Sequence, residues 1–312
     1  MIMERLNQTS SVSEFILLGL SSQPEDQKPL FILFLIIYLV TITGNVLTIL
    51  AIHSDSQLHT PMYFFLSVLS FTDIWYTTSI VPKMLVDFLS EKKTISYAGC
   101  LTQMYFIYVL ANIDSCILVV MAYDRYEAIC DPFHYVTIMS HRCCVLLVAF
   151  SCSLPHLHSL LHILLLNQLT FCNSNAIHHF LCDINPLLKL SCSSIFVNDL
   201  IIKTEGLVVL VTPFLCIVFS YVRIFISVLR IPSAAGKCKA FSTCGSHFIV
   251  VILFYGSIFY AYLQPLSRYT VQDRVATIVY TVLSSMFNPF IYSLRNKDQK
   301  RGLGKLMARR KS

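Results

Sequence analysis

Charged residues are scarce in this chain. Asp, Glu, Lys and Arg make up 13% of its 312 residues, hydrophobic residues make up 55%, and the mean hydropathy is +0.67. An ordinary soluble domain carries about 25% charged residues. A single soluble core of this length could not bury so much apolar surface. The composition therefore excludes an ordinary soluble domain and indicates a membrane protein.

The sequence also lacks the motifs of common enzymes. It contains no Ser-His-Asp order, no P-loop and no HExxH motif, so no catalytic centre is indicated. No cysteine follows residue 294, which argues against a lipidated tail. The basic excess lies in the C-terminal tail, so we predict no nucleic-acid partner.

The sequence does contain long apolar stretches. A membrane-spanning helix needs roughly 20 apolar residues, and seven stretches qualify: about 29–52, 58–82, 96–122, 143–166, 197–224, 241–263 and 272–294. We predict an all-α bundle of seven transmembrane helices over residues 29–294, between an N-terminal segment (1–28) and a tail (295–312). Leu303, Leu306 and Met307 recur at helical spacing among basic residues, which predicts a short amphipathic helix on the lipid surface.

The distribution of positive charge predicts the orientation. Residues 295–312 hold eight basic residues and one acid, and Arg223, Arg230, Lys237 and Lys239 flank the loop after the fifth stretch. Basic loops stay in the cytoplasm. We therefore expect a cytoplasmic C-terminus and, with seven spans, an extracellular N-terminus in the plasma membrane. The glycosylation tripeptide at Asn7 agrees with this side.

Four cysteines fall on the predicted outer side, where disulfides persist. They are Cys100, Cys172, Cys182 and Cys192, and four cysteines allow three pairings.

Two single acids lie deep inside predicted helices. Asp73 and Asp114 are costly at bilayer depth and should face the bundle interior. Asn45 and Asn288 lie at similar depth, so these four residues could hold a sodium ion or a proton. Alternatively, the acids form a hydrogen-bonded pair that only packs the helices.

A charged triplet, Asp124-Arg125-Tyr126, lies at the inner end of the third stretch. Arg125 can pair with Asp124 while its guanidinium reaches toward Tyr221 or the sixth span. Alternatively, Arg125 lies at a helix end and only extends its charged group to water. The Asn-Pro-x-x-Tyr run of residues 288–292, with Asn288, Pro289 and Tyr292, favours a conformational switch.

Aromatic residues populate the outer halves of the third and sixth stretches. Asn112 and Tyr262 favour a small-molecule pocket, whereas the other aromatic residues favour helix packing or a lipid-facing belt. Glu205 could bind a polar ligand group, but we expect an ion pair or a solvated helix end. His158 and His162 have metal-compatible spacing; we interpret them as two polar helix residues and predict no metal site.

Several segments resemble one known family. Residues 58–66 (LHTPMYFFL), 121–130 (MAYDRYEAIC), 239–247 (KAFSTCGSH), 254–256 (FYG) and 288–296 (NPFIYSLRN) resemble signatures of vertebrate olfactory receptors. Residues 186–192 (PLLKLSC) resemble the outer loop of their tetrapod-type class. The resemblance covers nearly the whole chain.

The resemblance implies a rhodopsin-like receptor for small volatile odorants, coupled to the stimulatory olfactory G protein that raises cyclic AMP. It implies disulfides Cys100–Cys182 and Cys172–Cys192, with Cys100–Cys192 as the alternative. The family's ligand cavity maps onto twelve positions: Tyr108, Ala111, Asn112, Ser115, Glu205, Val209, Tyr255, Ile258, Phe259, Tyr262, Ile278 and Thr281. Glu127 departs from the family's small apolar residue and puts an acid where the G protein should dock. If this acid weakens docking, Glu127→Val should strengthen signalling.

A transporter or channel and an intramembrane enzyme are the alternatives from other classes of protein. A transporter or channel would need inverted repeats or charged residues along a path, and two interior acids are too few. An intramembrane enzyme could use Asp73 and Asp114 as an aspartyl pair, but the resemblance assigns both acids to the receptor pattern.

Overall fold

The computed structural model describes residues 12–21, 23–172, 174–263, 271–295, 301–302 and 304, apart from the side chains of 207, 239–243, 262–263, 271–273 and 293–295. Its helices, in chain order, are α1 (Pro24–Ser54), α2 (Pro61–Leu89), α3 (Tyr97–Cys130), α4 (Tyr135–Ile138), α5 (His141–Leu166), α6 (Ile184–Leu188), α7 (Phe196–Gly206), α8 (Thr212–Leu229), α9 (Ala234–Leu263), α10 (Val271–Ile278) and α11 (Ser284–Arg295).

Seven spans are long and apolar enough to cross a membrane. The first to fourth spans are α1, α2, α3 and α5. Helices α7 and α8 form the fifth, α9 forms the sixth, and α10 and α11 form the seventh. The predicted all-α seven-helix architecture is confirmed.

The second and third spans extend beyond the ends of the predicted apolar stretches. The second stretch ends at residue 82, whereas α2 continues through Pro82 to Leu89. A proline removes one backbone hydrogen bond, and neighbouring helices can compensate for that loss inside a membrane bundle. Helix α3 continues to Cys130, so the triplet 124–126 lies within the helix and not at its end.

The fifth and seventh spans each contain a π-helical segment. Leu207–Val211 joins α7 to α8, and Val279–Leu283 joins α10 to α11. Pro213 lacks the N–H that would bond to the carbonyl of Val209, which is consistent with a local widening of the helix. Such π segments are frequent at functional sites.

A three-stranded sheet covers one end of the bundle, called here the sheet end. Strand β1 (Glu14–Leu17) lies between β2 (Thr94–Ser96), to which it is antiparallel, and β3 (Ala176–Ile177), to which it is parallel. Phe15 and Leu17 point into an apolar cluster that also contains Cys100 and Cys182. Residues 14–17 of the N-terminal segment are therefore part of the packed structure.

The disulfides pair Cys100 with Cys182 and Cys172 with Cys192, with Cα–Cα distances of 5.5 and 6.0 Å. Both lie at the sheet end. This pairing is the one that the resemblance implies, and it excludes the Cys100–Cys192 alternative.

The outer surface of the spans is apolar. Ile32, Phe150 and Leu157 are 58%, 66% and 68% exposed, and many other large hydrophobic side chains are similarly open. A soluble protein rarely exposes so large an apolar surface. Hydrocarbon solvates it, so the chain is a multi-pass membrane protein.

Candidate functional site

A cavity of about 520 Å³ opens between the third, fourth, fifth and sixth spans, on the side of the sheet end. Eight of the twelve predicted ligand residues line it: Tyr108, Ala111, Asn112, Ser115, Glu205, Val209, Ile258 and Phe259. The lining is mostly apolar with a few polar groups, as in pockets for small organic molecules.

The other four predicted residues are not among the described lining residues. Tyr255 is buried next to the cavity, and Thr281 is buried with its hydroxyl bonded to Thr277 O. Ile278 packs against the apolar cluster around Tyr76. The side chain of Tyr262 lies outside the described part of the chain. Ile278 and Thr281 are thus not among the lining residues, because this part of the seventh span packs against its neighbours.

Several lining residues were not predicted as ligand contacts. Tyr76 and Tyr280 line the cavity from the second and seventh spans. Ile184 and Asn185 line it from α6, which lies in the long loop between α5 and α7 (residues 167–195). His158 and His162 line it from the fourth span. The i, i+4 spacing of the two histidines was the signal that could have placed them together on one helix face.

A polar cluster forms at one wall of the cavity. Glu205 Oε2 lies 3.1 Å from His158 Nε2 and 3.0 Å from His162 Nε2. Asn112 Nδ2 lies 3.3 Å from His158 Nδ1. Lys203 does not pair with Glu205, because it bonds to Asp199 at 2.6 Å. Glu205 therefore faces the cavity wall, where its charged or polar neighbours are His158 and His162 and not Lys203.

A hydrogen bond connects the cavity to the sixth span. The hydroxyls of Ser115 and Tyr255 are 2.6 Å apart. The Tyr255 ring contacts Phe214 and Phe259, with centroid distances of 5.4 and 6.2 Å. A ligand that contacts Ser115 or Phe259 therefore touches groups that hold Tyr255.

The long loop forms a lid over the cavity. Tyr108 donates a hydrogen bond to Asp183 Oδ1 at 2.7 Å, and the same oxygen accepts from Ile184 N. Gln103 Oε1 accepts from Cys182 N at 3.1 Å, beside the disulfide to Cys100. His179 is buried in this lid, and its Nδ1 accepts from the backbone N–H of Leu181.

The predicted ion-site residues are all buried near the centre of the bundle. Asn288 Nδ2 donates to Asp73 Oδ2 at 2.9 Å, and Thr72 donates to Asp114. Asn45 Nδ2 donates to Ser285 O at 3.1 Å in the seventh span. The carbonyl oxygens of Asn45 and Asn288 have no hydrogen-bond partner among the described residues.

Gly44 allows the first and seventh spans to approach closely. A Cβ atom at this position would lie 3.0 Å from Pro289 Cγ. The glycine next to Asn45 therefore positions that amide against the seventh span.

At the opposite end, called here the triplet end, Asp124 has two partners. Arg125 donates to Asp124 Oδ2 from Nε and Nη2, at 3.0 and 2.6 Å, and Tyr135 donates to Oδ1 at 2.8 Å. Partial burial and the Asp124 carboxylate raise the pKa of Tyr135, which stays neutral and donates. Tyr126 packs against the cluster around Ile224 and Val228.

Tyr221 bonds to the sixth span and not to Arg125 within the described part of the chain. Its hydroxyl lies 2.6 Å from His247 Nδ1, and His247 Nε2 lies 3.1 Å from Leu118 O. The third, fifth and sixth spans are thereby joined. The hydroxyl of Tyr292 is buried and has no hydrogen-bond partner among the described residues.

Glu127 is buried within α3. It is 6% exposed, so it presents no solvated charge at the triplet end.

Comparison with known proteins decides the family. The olfactory receptor family model matches residues 34–310. The chain belongs to the olfactory receptor family. Human "Olfactory receptor 1L8" is 75% identical over 308 residues, which cover 99% of this chain and all of that protein. Human "Olfactory receptor 1L3" is 69% identical over 98% of this chain and 95% of its own length. Rat "Olfactory receptor 1f45" is 54% identical over 96% of each chain.

Membership in this family confirms the class of protein. The chain is an odorant-sensing, G-protein-coupled receptor and not an enzyme. The transporter and enzyme alternatives therefore fall away.

Proposed function

We propose that this olfactory receptor binds a small volatile organic ligand in the cavity between the third, fourth, fifth and sixth spans. The volume of about 520 Å³ lies in the range of small-molecule sites, and the lining offers apolar contacts with few polar anchors. The bound receptor activates the stimulatory olfactory G protein and raises cyclic AMP.

The Ser115–Tyr255 hydrogen bond is the observation that carries this proposal. Ser115 lines the cavity, whereas Tyr255 belongs to the sixth span and packs on Phe214 and Phe259. A ligand that contacts Ser115, Ile258 or Phe259 changes the packing of the sixth span. It shifts the conformational equilibrium only by its difference in affinity between the two states.

The triplet end supplies the groups that would respond. The sixth span is held there by His247, which bonds to Tyr221 and Leu118 O, and by Ser246, which donates to Ile291 O at 3.0 Å. Outward movement of the sixth span would break these bonds. Arg125 and Tyr292 would then rearrange beside the cleft that the G protein enters.

The four buried residues at the bundle centre fit a sodium ion. Sodium is a hard cation that prefers oxygen ligands, and this buried set offers the Asp73 and Asp114 carboxylates and the unpartnered carbonyl oxygens of Asn45 and Asn288. The bound ion would balance one of the two negative charges and stabilise the closed bundle. Replacing Na⁺ by a large organic cation should raise basal signalling, and Asp73→Asn should remove that dependence.

The orientation follows from the charge distribution. The triplet end faces the cytoplasm, and the sheet end with both disulfides faces the exterior of the cell, where disulfides persist. Asn7, outside the described residues, would carry the glycan. Epitope tags at the two chain ends, stained with and without permeabilisation, test this topology; exposure of both tags on one side would reject it.

A cyclic AMP reporter screen tests the function. Cells that express the chain are exposed to a panel of volatile compounds, beside mock-transfected cells. We expect at least one compound to raise cyclic AMP only in the expressing cells. Ala111→Phe fills the cavity and should abolish this response at equal surface staining; a response that survives it would reject the cavity.

A further inference from the structure

Three potential metal-ligand atoms converge at the cavity wall. They are Nε2 of His158, Nε2 of His162 and Oε2 of Glu205. The carboxylate oxygen lies 3.1 and 3.0 Å from the two nitrogens, which are 3.2 Å from one another. The sequence spacing brought the two histidines onto one face, and the fifth span adds the carboxylate.

Hydrogen bonding alone does not account for this cluster. The amide nitrogen of Asn112 can only donate, so His158 Nδ1 accepts from it and the neutral ring carries its proton on Nε2. Glu205 Oε2 is buried and has no well-aligned donor, although two ring nitrogens lie within 3.1 Å of it. A buried carboxylate oxygen in this position requires another partner.

We infer that His158, His162 and Glu205 form a binding site for a divalent transition-metal ion such as Zn²⁺. Zinc binds imidazole nitrogen and carboxylate oxygen at about 2.0–2.1 Å in a tetrahedron, so its ligand atoms lie about 3.3 Å apart. The three distances are within about 0.3 Å of that value. An ion about 1 Å above the plane of the three atoms would satisfy all of them.

The fourth coordination position would face the cavity, because all three residues line it. Three protein ligands with one open position can hold a water molecule or a heteroatom of a bound ligand. The inference rests on the proposed function for the role of the cavity, and it adds that the receptor favours small molecules with a metal-coordinating atom.

Asn112 is placed to orient one of the metal ligands. With the metal on Nε2, His158 must carry its proton on Nδ1. A half-turn of the Asn112 amide would present its oxygen to that proton. Such outer partners typically change metal affinity by about 10–100-fold when they are removed.

The test is Zn²⁺ binding to the purified full-length receptor, measured by titration after its free thiols are alkylated. Wild type should bind one equivalent that is lost or weakened at least about 100-fold in His162→Ala and in Glu205→Gln. Asn112→Leu should weaken binding about 10–100-fold. His156→Ala is the matched control, because His156 lies on the same helix but bonds to Tyr105 at 2.8 Å.

Equal Zn²⁺ affinity and stoichiometry in wild type, His162→Ala and Glu205→Gln would overturn the inference. A matching melting temperature of each variant in the absence of metal shows that it is folded. The titration needs neither odorant nor G protein. A receptor that binds Zn²⁺ but never raises cyclic AMP would therefore refute the proposed function alone, and unchanged binding would refute the metal site alone.

Discussion

At the scale of single residues, the Tyr255 hydroxyl joins the third and sixth spans below the cavity. Its bond to Ser115 is 2.6 Å long. Tyr255→Phe removes only that hydroxyl, and a hydrogen bond contributes about 0.5–1.5 kcal/mol. We expect the basal equilibrium to shift about two- to tenfold toward the active state, seen as raised basal cyclic AMP.

Tyr105→Phe is the control for this prediction. It makes the same chemical change in a hydroxyl that bonds to His156 between the third and fourth spans. If basal cyclic AMP rises equally in both variants, or in neither, the Ser115–Tyr255 bond does not control activation.

Arg125 lies at the triplet end, beside the proposed G-protein cleft. It is 14% exposed and paired with the buried Asp124, whose second oxygen accepts from Tyr135. Arg125→Ala should abolish the evoked cyclic AMP response while surface staining stays detectable, because Tyr135 still satisfies Asp124. A normal dose–response curve at normal staining would remove Arg125 from the switch.

The location and role of a residue could be predicted where a motif identifies it. They were less predictable where the contacting residues come from different helices. The cavity residues Ala111, Asn112 and Ser115 follow from the resemblance, and the structure places them together. Glu205 meets His158 and His162 only through packing of the fourth and fifth spans, which no sequence spacing reveals. The burial of Glu127 was missed for the same reason.

At the scale of elements, the disulfide Cys100–Cys182 ties α3 to the lid. It closes a loop of 82 residues, against 20 for Cys172–Cys192. In the chain-entropy account these loops correspond to about 4–5 and about 3 kcal/mol. We expect Cys100→Ser to reduce surface delivery more than Cys172→Ser does. Equal staining in the two variants and in wild type would contradict a structural role for the lid.

The lid should also weaken in acid. Burial and the nearby Arg274 lower the pKa of His179 to about 3, from an ordinary value near 6.5. The ring is neutral in the folded lid, so stability is full above about pH 6.5 and falls as the pH drops toward 3. Between pH 7 and pH 5 the loss is about 2 kcal/mol.

Melting temperatures of the purified receptor at pH 7 and pH 5 measure this loss. His179→Asn keeps an acceptor for Leu181 N and should shrink the difference between the two temperatures. His134→Asn is the control, because His134 is exposed beyond the third span. An unchanged pH difference in His179→Asn would show that His179 does not control it.

Spans were more predictable than the elements between them. Apolar length locates all seven spans. Strand β1 was missed because its partners, β2 and β3, are short and distant in sequence. The π segments also have no signal in composition, since they depend on local crowding and on Pro213.

At the scale of the whole molecule, the helix bundle connects two functional ends. The cavity lies near the sheet end, and the bonded set of Tyr221, His247 and Leu118 O lies near the triplet end. The sixth span passes through both. Its movement is the step that connects odorant binding to the G protein.

The most direct test measures nucleotide exchange on purified stimulatory olfactory G protein, in vesicles that contain the purified receptor. With a volatile compound found active in cells, we predict faster exchange with wild type, and no acceleration with Ala111→Phe or Arg125→Ala. Nucleotide exchange at the same rate with and without the compound would contradict the account. Equal acceleration with wild type and with Ala111→Phe would contradict it too.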